Sequence, residues 1–201
     1  MEPPAFLDPT APFDRPSPEI GRDGLTERQR RANRLAGRLL LPLLGVLVVL
    51  VLVFYVFFDF ARVDGSSMSP TLSDREAVLI TKGDSSPRRG EVVVLSVIDH
   101  GVASEWVKRI VAVGGDKVLY RGNLAWVNGA PESFAHSIVD DGSTVPTGEI
   151  TVPAGKVFFL GDNRPVSLDS RFIGTLPTDR VHGKVIAVFT PVTRIRLVPE
   201  P

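Results

Sequence analysis

The sequence predicts a mostly-β domain that follows one long apolar helix near the N-terminus. The helix is predicted because Leu39 to Phe58 form a run of twenty residues without a charge. The β domain is predicted because, from Phe60 onward, short runs of β-branched and aromatic residues alternate with Gly, Pro, Asp and Asn. We therefore expect a membrane-anchored, compact β fold with one N-terminal transmembrane helix and no long helix after Phe60.

The region before the apolar run divides into a tail and a basic flank. Residues 1–25 are rich in proline among acidic and serine residues, a composition that buries too little apolar surface to order a chain. We predict a disordered cytoplasmic tail. Thr26 and Gln29 have the spacing of a capping box, which predicts a helix start. Residues 26–59 are thus the flank and the helix, and five arginines precede the span: Arg28, Arg30, Arg31, Arg34 and Arg38.

The apolar run has the length of a membrane span. At 1.5 Å per residue, residues 39–58 extend over about 30 Å, which matches the hydrocarbon core of a bilayer. The alternative, a secretory signal peptide, usually has an apolar region of only about 7–15 residues. We expect Pro42 to lie near the helix start, where proline is tolerated best. The arginines predict a single pass through the cell membrane with a cytoplasmic N-terminus and an extracytoplasmic domain over residues 60–201.

The extracytoplasmic part has the pattern of a mostly-β domain and is long enough to form its own core. Asn128-Gly129 is the dipeptide of a tight hairpin turn. Strands are predicted for seven runs: 77–81, 92–95, 106–113, 117–120, 125–127, 157–160 and 184–189.

Composition excludes several kinds of chemistry. The chain has no cysteine, which excludes disulfides, thiolate metal sites and cysteine nucleophiles. The formal net charge is zero and no basic block lies outside the arginine flank, so a nucleic-acid partner is not indicated. His100, His136 and His182 are scattered without metal-ligand spacing and are interpreted as surface residues.

A serine and a lysine are the candidate reactive residues. Ser67 lies in a turn rich in Gly, Ser and Pro, and a serine hydroxyl needs a base before it becomes a good nucleophile. Lys108 lies inside an apolar strand, on the predicted face of Trp106, Ile110 and Ala112. Burial on that face lowers the pKa of an amine, and a neutral lysine can act as the base.

Each of these features also has a purely structural interpretation. Lys108 can extend its amine to solvent from a strand end, and a serine-rich turn is usually only a turn. Asp162 and Asp169 can cap turns, and Arg171 can be a simple ion-pair partner. Only the order and spacing of the motifs favour a catalytic interpretation over a structural one.

Four motifs in order resemble the conserved boxes of the type I signal peptidases (leader peptidases), in their bacterial, Gram-positive-like, single-span form. The likeness covers roughly residues 58–190. The motifs are Gly65-Ser66-Ser67-Met68-Ser69-Pro70-Thr71-Leu72, Arg89-Gly90-Glu91-Val92-Val93-Val94, Glu105-Trp106-Val107-Lys108-Arg109 with Gly114-Gly115-Asp116-Lys117-Val118, and Gly161-Asp162-Asn163-Arg164 with Ser167, Asp169, Ser170, Arg171 and Gly174.

The resemblance implies a role for each matching residue. Ser67 is the nucleophile, Lys108 is the general base, and Ser167 carries the hydroxyl that orients the lysine amine. Three residues are implied to support the site structurally: Asp162, Asp169 and Arg171. Four apolar residues are implied to line the pockets for the substrate side chains at −1 and −3: Val63, Met68, Leu72 and Val107.

The chain departs from the usual family pattern at two places. Gly65 stands where Gram-negative members often have a serine whose hydroxyl helps to hold the oxyanion, so the resemblance leaves the amide of Ser67 as the donor. Pro165 and Val166 replace Asp-Asn in the last motif, and we expect a stiffer turn with the same function.

The insertion between the third and fourth motifs is short. Only 53 residues separate Lys108 from Asp162, which leaves no room for the large second domain of some family members. We predict that the segment from about residue 120 to residue 151 is a short remnant of that domain, with a hairpin and a polar loop at 140–143.

The resemblance implies a membrane-bound serine endopeptidase that removes signal peptides from secreted preproteins. Its substrate would lie extended along a strand edge, with alanine-sized side chains at −1 and −3. The implied partners are signal peptides, the lipid bilayer and a nearby secretion translocon, and neither nucleic acid, metal nor cofactor is required.

Two other functions stay open at this point. A self-cleaving repressor of the SOS type also uses a Ser–Lys pair on a related β fold, but the apolar span and the lack of a helix-turn-helix candidate argue against it. A membrane-anchored β domain that only binds partners would have no reactive serine, so an active-site acylation assay separates it from an enzyme.

Overall fold

A computed structural model describes residues 26–83, 86–99, 101–121, 124–133 and 148–198. The predicted disordered tail, the loop at 140–143, His100 and His136 lie outside the described residues. His182 is exposed, as predicted. By its internal contacts the chain divides into two units, Met1–Leu52 and Val53–Pro201.

Helix α1 spans Glu27–Phe57 and begins at the predicted capping box. The Thr26 amide donates to Gln29 Oε1 (2.9 Å), and the Gln29 amide donates to Thr26 Oγ1 (3.4 Å). Within the described residues this is one helix long and apolar enough to cross a membrane, criteria that a signal sequence also meets. Pro42 lies well inside the helix, so the prediction that it lies near the helix start is wrong, because the arginine flank is helical too.

The last turn of α1 belongs to the second unit because its side chains contact the first strands. The Phe54 ring lies 4.8 Å from that of Phe58 and 5.7 Å from that of Phe60. Lys82 Nζ donates to the carbonyl of Tyr55 (3.3 Å). These contacts place the boundary between the units inside the helix.

The second unit is mostly β, which confirms the predicted fold class. Helix is limited, among its described residues after Phe57, to the four-residue helix α2, Ser170–Ile173, and short 3₁₀ turns. The strands are β1 Phe58–Arg62, β2 Ala77–Lys82, β3 Val92–Asp99, β4 Val102–Val113, β5 Lys117–Arg121, β6 Leu124–Val127, β7 Ala130–Pro131, β8 Ile150–Thr151, β9 Lys156–Leu160, β10 Leu176–Pro177, β11 Val181–Thr190 and β12 Arg196–Leu197.

The strands form a large sheet and a small sheet, both antiparallel. The large sheet has the order β1-β2-β11-β3-β4-β9-β10, with β12 paired to β11, and the small sheet has the order β7-β6-β5-β8. Each of the seven predicted runs lies within a strand. Asn128 and Gly129 connect β6 to β7 with φ of 53° and 82°, the positive values that a tight hairpin turn requires.

Alternation along β3 builds a core on each face of the large sheet. Val92 and Val94 pack in one cluster, whereas Val93, Leu95 and Val97 pack in another. A third cluster joins the two sheets through side chains from both: Val111, Ala112, Phe158 and Leu160 from the large sheet, and Val118, Tyr120, Ala125 and Val127 from the small one. The small sheet is therefore packed firmly on β4 and β9.

Strand β4 contains an irregularity that changes which side chains share a face. Its register with β9 shifts between Ile110 and Ala112. Ile110 packs with Trp106, but Ala112 packs with Val111 in the cluster between the sheets. The prediction that Ala112 shares the face of Ile110 is wrong, because a bulge adds one residue and reverses the alternation beyond it.

Candidate active site

The turn after β1 and the middle of β4 bring Ser67 and Lys108 together. Lys108 Nζ lies 2.7 Å from Ser67 Oγ, within hydrogen-bond distance. The lysine is only 5% exposed, and its amine lies 5.5 Å from the centroid of the Trp106 ring. The amine of Lys108 is therefore shielded from most of the water that would stabilise its charged form.

Burial lowers the pKa of Lys108 from 10.5 to about 8, although the nearby carboxylates of Asp169 and Asp162 act in the opposite direction. At pH 8 a solvated lysine is neutral in about one molecule in 250, whereas a lysine with a pKa of about 8 is neutral in about half. The site therefore holds an amine that can accept a proton near neutral pH.

Asp162 is held by Arg109, the residue after Lys108. Arg109 Nε and Nη2 donate to the two carboxylate oxygens of Asp162, at 2.8 and 2.6 Å. Thr71 Oγ1 also donates to this carboxylate, and Arg109 Nη1 donates to the carbonyl of Gly90 (2.7 Å). Arg109 and Asp162 are buried, so separating them would leave an uncompensated charge in the interior. This pair fixes the last motif against β4 beside the reactive amine.

Asp169 and Arg171 form a second buried ion pair. Arg171 Nε donates to Asp169 Oδ1 (2.8 Å), and Arg171 Nη2 donates to Asp169 Oδ2 (3.0 Å). Asp169 Oδ2 also accepts from the Gly161 amide (3.1 Å). Arg171 Nη2 donates to the carbonyls of Arg164 (2.6 Å) and Ser167 (3.2 Å). The pair thus holds both ends of the loop between β9 and α2.

Gly161 is the point at which this loop meets the turn that contains Ser67. A Cβ atom at Gly161 would overlap the Ser167 side chain and lie 2.6 Å from the Ser67 carbonyl oxygen. The Asn163 amide donates to that same carbonyl (3.0 Å), and Asn163 Nδ2 donates to the carbonyl of Ser66 (3.1 Å). Glycine is required here because any side chain would push the loop away from Ser67.

Ser167 is buried, with 4% exposure, and contacts the same point. Within the described part of the chain, its Oγ has no hydrogen-bond partner. Buried hydroxyls without a partner are uncommon in folded proteins. The hydrogen bond to Lys108 is not formed in this structure, and the orienting role of Ser167 stays a prediction.

A cleft of about 310 Å³ contains the side chains of both Ser67 and Lys108. Its lining residues are Arg62, Val63, Asp64, Ser67, Met68, Glu105, Trp106, Val107, Lys108, Val166 and Leu168. A separate cavity of about 330 Å³, beside Tyr120, Arg171 and Phe172, includes neither Ser67 nor Lys108. We place the site in the first cleft because the candidate nucleophile and base meet an open surface there.

Comparison with protein families gives one match that covers most of the chain. A family described as signal peptidase, peptidase S26, matches residues 36–190. The chain belongs to this signal peptidase family.

Individual signal peptidases are similar to this chain over most of their own length. Signal peptidase I U of Bacillus subtilis (strain 168) is 31% identical over 168 residues, which cover 76% of this chain and 88% of that protein. Signal peptidase I of Bacillus amyloliquefaciens is 35% identical over 161 residues, covering 74% and 85%. A solved signal peptidase I from Enterococcus faecalis V583 is 27% identical, with a TM-score of 0.41, over 49% of this chain and 96% of that one.

The four signal peptidase motifs meet in one buried network. Thr71 from the first motif, Gly90 from the second, Arg109 from the third and Asp162 from the fourth are joined by the hydrogen bonds described above. The motifs are far apart along the chain, so their side chains meet only when the large sheet forms. The network therefore holds the four motifs together beside Ser67 and Lys108.

The structure brings together most of the predicted site residues of this signal peptidase. Val63, Met68 and Val107 line the cleft beside Ser67. Leu72 does not line it: this side chain is fully buried in a cluster with Val63 and Met68. The predicted role of Leu72 is thus limited, in this structure, to supporting the residues that form the cleft wall.

Arg109 and Thr71 are part of the site, but sequence reasoning assigned them no role. The sequence did contain a signal for Arg109, which is a charged residue within an apolar strand. Such a residue is buried only when it has a partner, so an ion pair could have been predicted. Thr71 carried none, because a threonine in a Ser/Pro turn is ordinary.

Proposed function

We propose that the chain is a membrane-bound serine endopeptidase that removes signal peptides from secreted preproteins with a Ser67–Lys108 dyad. The observation that supports this best is the 2.7 Å separation of Lys108 Nζ and Ser67 Oγ, with the pKa of the buried amine lowered to about 8. Membership of the signal peptidase family supports the same substrate class.

The dyad geometry supports a two-step acyl transfer. Neutral Lys108 accepts the proton of Ser67 Oγ as that oxygen attacks the carbonyl carbon at the cleavage site. The protonated amine then gives its proton to the leaving amino group, and an ester between Ser67 and the signal peptide remains. Lys108, neutral again, activates a water that hydrolyses this ester and restores the hydroxyl.

The turn at Ser67 can stabilise the oxyanion through its backbone. Among the described residues, the Ser67 amide donates to no protein acceptor, so it is free to donate to the substrate oxygen. Gly65 has φ of +88°, in the left-handed region that favours glycine, which accounts for glycine at this position. Loss of one oxyanion donor elsewhere costs about 3 kcal/mol, so a single amide is a substantial contribution.

A strand edge that has no partner strand among the described residues leads to the dyad. Residues 102–108 of β4 pair with β3 on one side, whereas pairing with β9 on the other side begins at Arg109. An extended peptide can therefore add to this edge within the described sheet and present its carbonyl to Ser67. Val63, Met68 and Val107 then face the −1 and −3 side chains, and their bulk favours alanine-sized residues.

Incubation of the purified chain with one secreted preprotein tests this function. We expect a single cut after a small residue that is preceded by another at −3, and we expect acylation of Ser67. The absence of cleavage by the folded wild-type chain, or cuts without preference at −1 and −3, would contradict the proposed function.

The same proposal assigns a single membrane span and a topology. Helix α1 exposes its large apolar side chains from Leu39 to Phe57, and the arginines before Leu39 favour a cytoplasmic N-terminus. The catalytic domain, residues 60–201, would then lie outside the membrane, near the translocon that delivers its substrates.

Protease added to intact protoplasts tests that topology. We expect digestion of residues 60–201 and protection of the first 38 residues, because the membrane shields only the cytoplasmic segment. In lysed protoplasts both parts should be accessible. Protection of residues 60–201 in intact protoplasts would reverse the orientation.

Gly161→Ala is expected to lower kcat by about 100-fold or more, because the added methyl group displaces the loop or the Ser67 turn by about 1 Å. Gly148→Ala is the matched control, since a Cβ atom there meets nothing within 4 Å. The measurement is kcat beside the thermal midpoint of each variant. Wild-type kcat in Gly161→Ala would show that the close approach at Gly161 does not position the nucleophile.

A further inference from the structure

A buried ion pair links the small sheet to the loop of the last motif. Arg164 Nη1 and Nη2 donate to Glu132 Oε1 and Oε2, at 2.6 and 2.7 Å. Both side chains are 0% exposed. Glu132 follows β7 of the small sheet, whereas Arg164 begins the 3₁₀ turn after Gly161-Asp162-Asn163. The bidentate geometry fixes the guanidinium in both position and plane.

Both partners are anchored at their other ends. The Glu132 amide donates to the Ala125 carbonyl (2.8 Å), and Glu132 Oε1 accepts from the Ala125 amide (3.0 Å), so β6 holds the carboxylate. Arg164 Nε donates to the carbonyl of Gly161 (3.0 Å). Gly161 contacts the Ser67 carbonyl and the Ser167 side chain. One guanidinium therefore connects the small sheet to the residue that touches the nucleophile turn.

Tyr120 provides a second link from the same sheet. Its hydroxyl, on β5, accepts from Arg171 Nη1 (3.3 Å). The other end of that guanidinium donates to the carbonyls of Arg164 and Ser167. Arg164 of the loop and Arg171 of α2 are thus each held by a side chain from the region of the small sheet, and each donates to carbonyls of the loop.

We infer that Glu132 is a positioning residue for the Ser67–Lys108 dyad and that the small sheet holds the loop between β9 and α2 in place. This inference rests on the proposed function. The sequence analysis predicted the segment at about 120–151 to be a short remnant of a second domain. Under this inference the segment also positions the residues of the active site. A fully buried ion pair is weak evidence of a stabilising role, because well-packed apolar residues often replace such pairs without loss of stability. Orientation of Gly161 is a role that an apolar pair cannot take over.

The test compares single and charge-balanced variants of the full chain. Glu132→Gln removes the charge and aims an amide donor at Arg164, and we expect kcat to fall about 100-fold while KM stays within about twofold, because the cleft residues are not touched. The double variant Glu132→Leu, Arg164→Met removes both charges. We expect its thermal midpoint to approach that of the wild type while its kcat stays low.

Glu149→Gln is the matched control, because Glu149 forms an exposed ion pair with Lys117 beside the same sheet, 3.4 Å apart. Its kcat and KM should equal those of the wild type. Recovery of kcat together with stability in the double variant, or an unchanged kcat in Glu132→Gln, would overturn the inference. If Glu132→Gln does not fold, the double variant alone decides between the two results. Failure of the wild-type chain to cleave would instead refute the proposed function.

Discussion

Lys108→Arg is expected to reduce cleavage to the background rate, a loss of at least about 10³-fold, because a guanidinium stays protonated at any usable pH. The variant keeps a side chain of similar length, but this side chain cannot lose its charge and so cannot act as the base. Raising the pH from 8 to 10.5 should not restore activity. The measurement is kcat/KM for a preprotein-derived peptide, beside a thermal midpoint that reports folding.

Lys117→Arg is the control for this substitution. Lys117 lies on β5 with its side chain 61% exposed, and it pairs only at the surface with Glu149. The exchange should leave kcat/KM unchanged. Appreciable turnover by Lys108→Arg, while Lys117→Arg behaves as the wild type, would show that Lys108 is not the general base.

Ser67→Ala is expected to abolish both cleavage and acylation, with a loss on the order of 10⁵–10⁶-fold, as for the nucleophile of other serine proteases. The fold should remain intact because the hydroxyl is half-buried and contributes one hydrogen bond, to Lys108. Mass spectrometry of the chain after reaction with a serine acylating reagent measures the effect directly.

Neighbouring serines offer controls for the register of the motif. Ser66 is exposed and contacts the last motif only through its carbonyl, which alanine retains. Ser69 is half-buried. Ser66→Ala and Ser69→Ala should keep substantial activity and be acylated at Ser67. Loss of activity in Ser66→Ala, with activity retained in Ser67→Ala, would identify Ser66 as the nucleophile.

The β fold could be predicted because its strands carry a two-residue period that is short-range and directly visible. Val93 and Leu95 alternate with Val92 and Val94, and the structure separates them onto two faces as the pattern requires. The error at Ala112 has a physical cause: one extra residue in β4 reverses the alternation, and nothing in the local composition marks it. The error at Pro42 arose because its position was judged from the start of the apolar run, although the helix starts earlier, at the predicted capping box.

The proximity of Ser67 and Lys108 could be predicted because the order and spacing of the motifs are visible in the sequence without knowledge of the tertiary contacts. Lys108 was singled out by an apolar face, and the structure buries it beside Trp106. The supporting ion pairs could not be assigned in the same way. Arg109 meets Asp162, and Glu132 meets Arg164, across 53 and 32 positions of chain. Charged residues are exposed by default, so their pairing becomes visible only in the folded arrangement.

The pH dependence of kcat/KM tests most directly the claim that a neutral, buried Lys108 activates Ser67. A peptide without titratable side chains near its cleavage site ensures that the profile reports the free enzyme. Activity requires the neutral amine, so it should rise with pH along a single titration with an apparent pKa of about 8, the value that burial gives Lys108, and level off above it. A rate that is flat between pH 6 and 9, or that continues to rise to the ordinary lysine pKa of 10.5 without a plateau, would contradict the account.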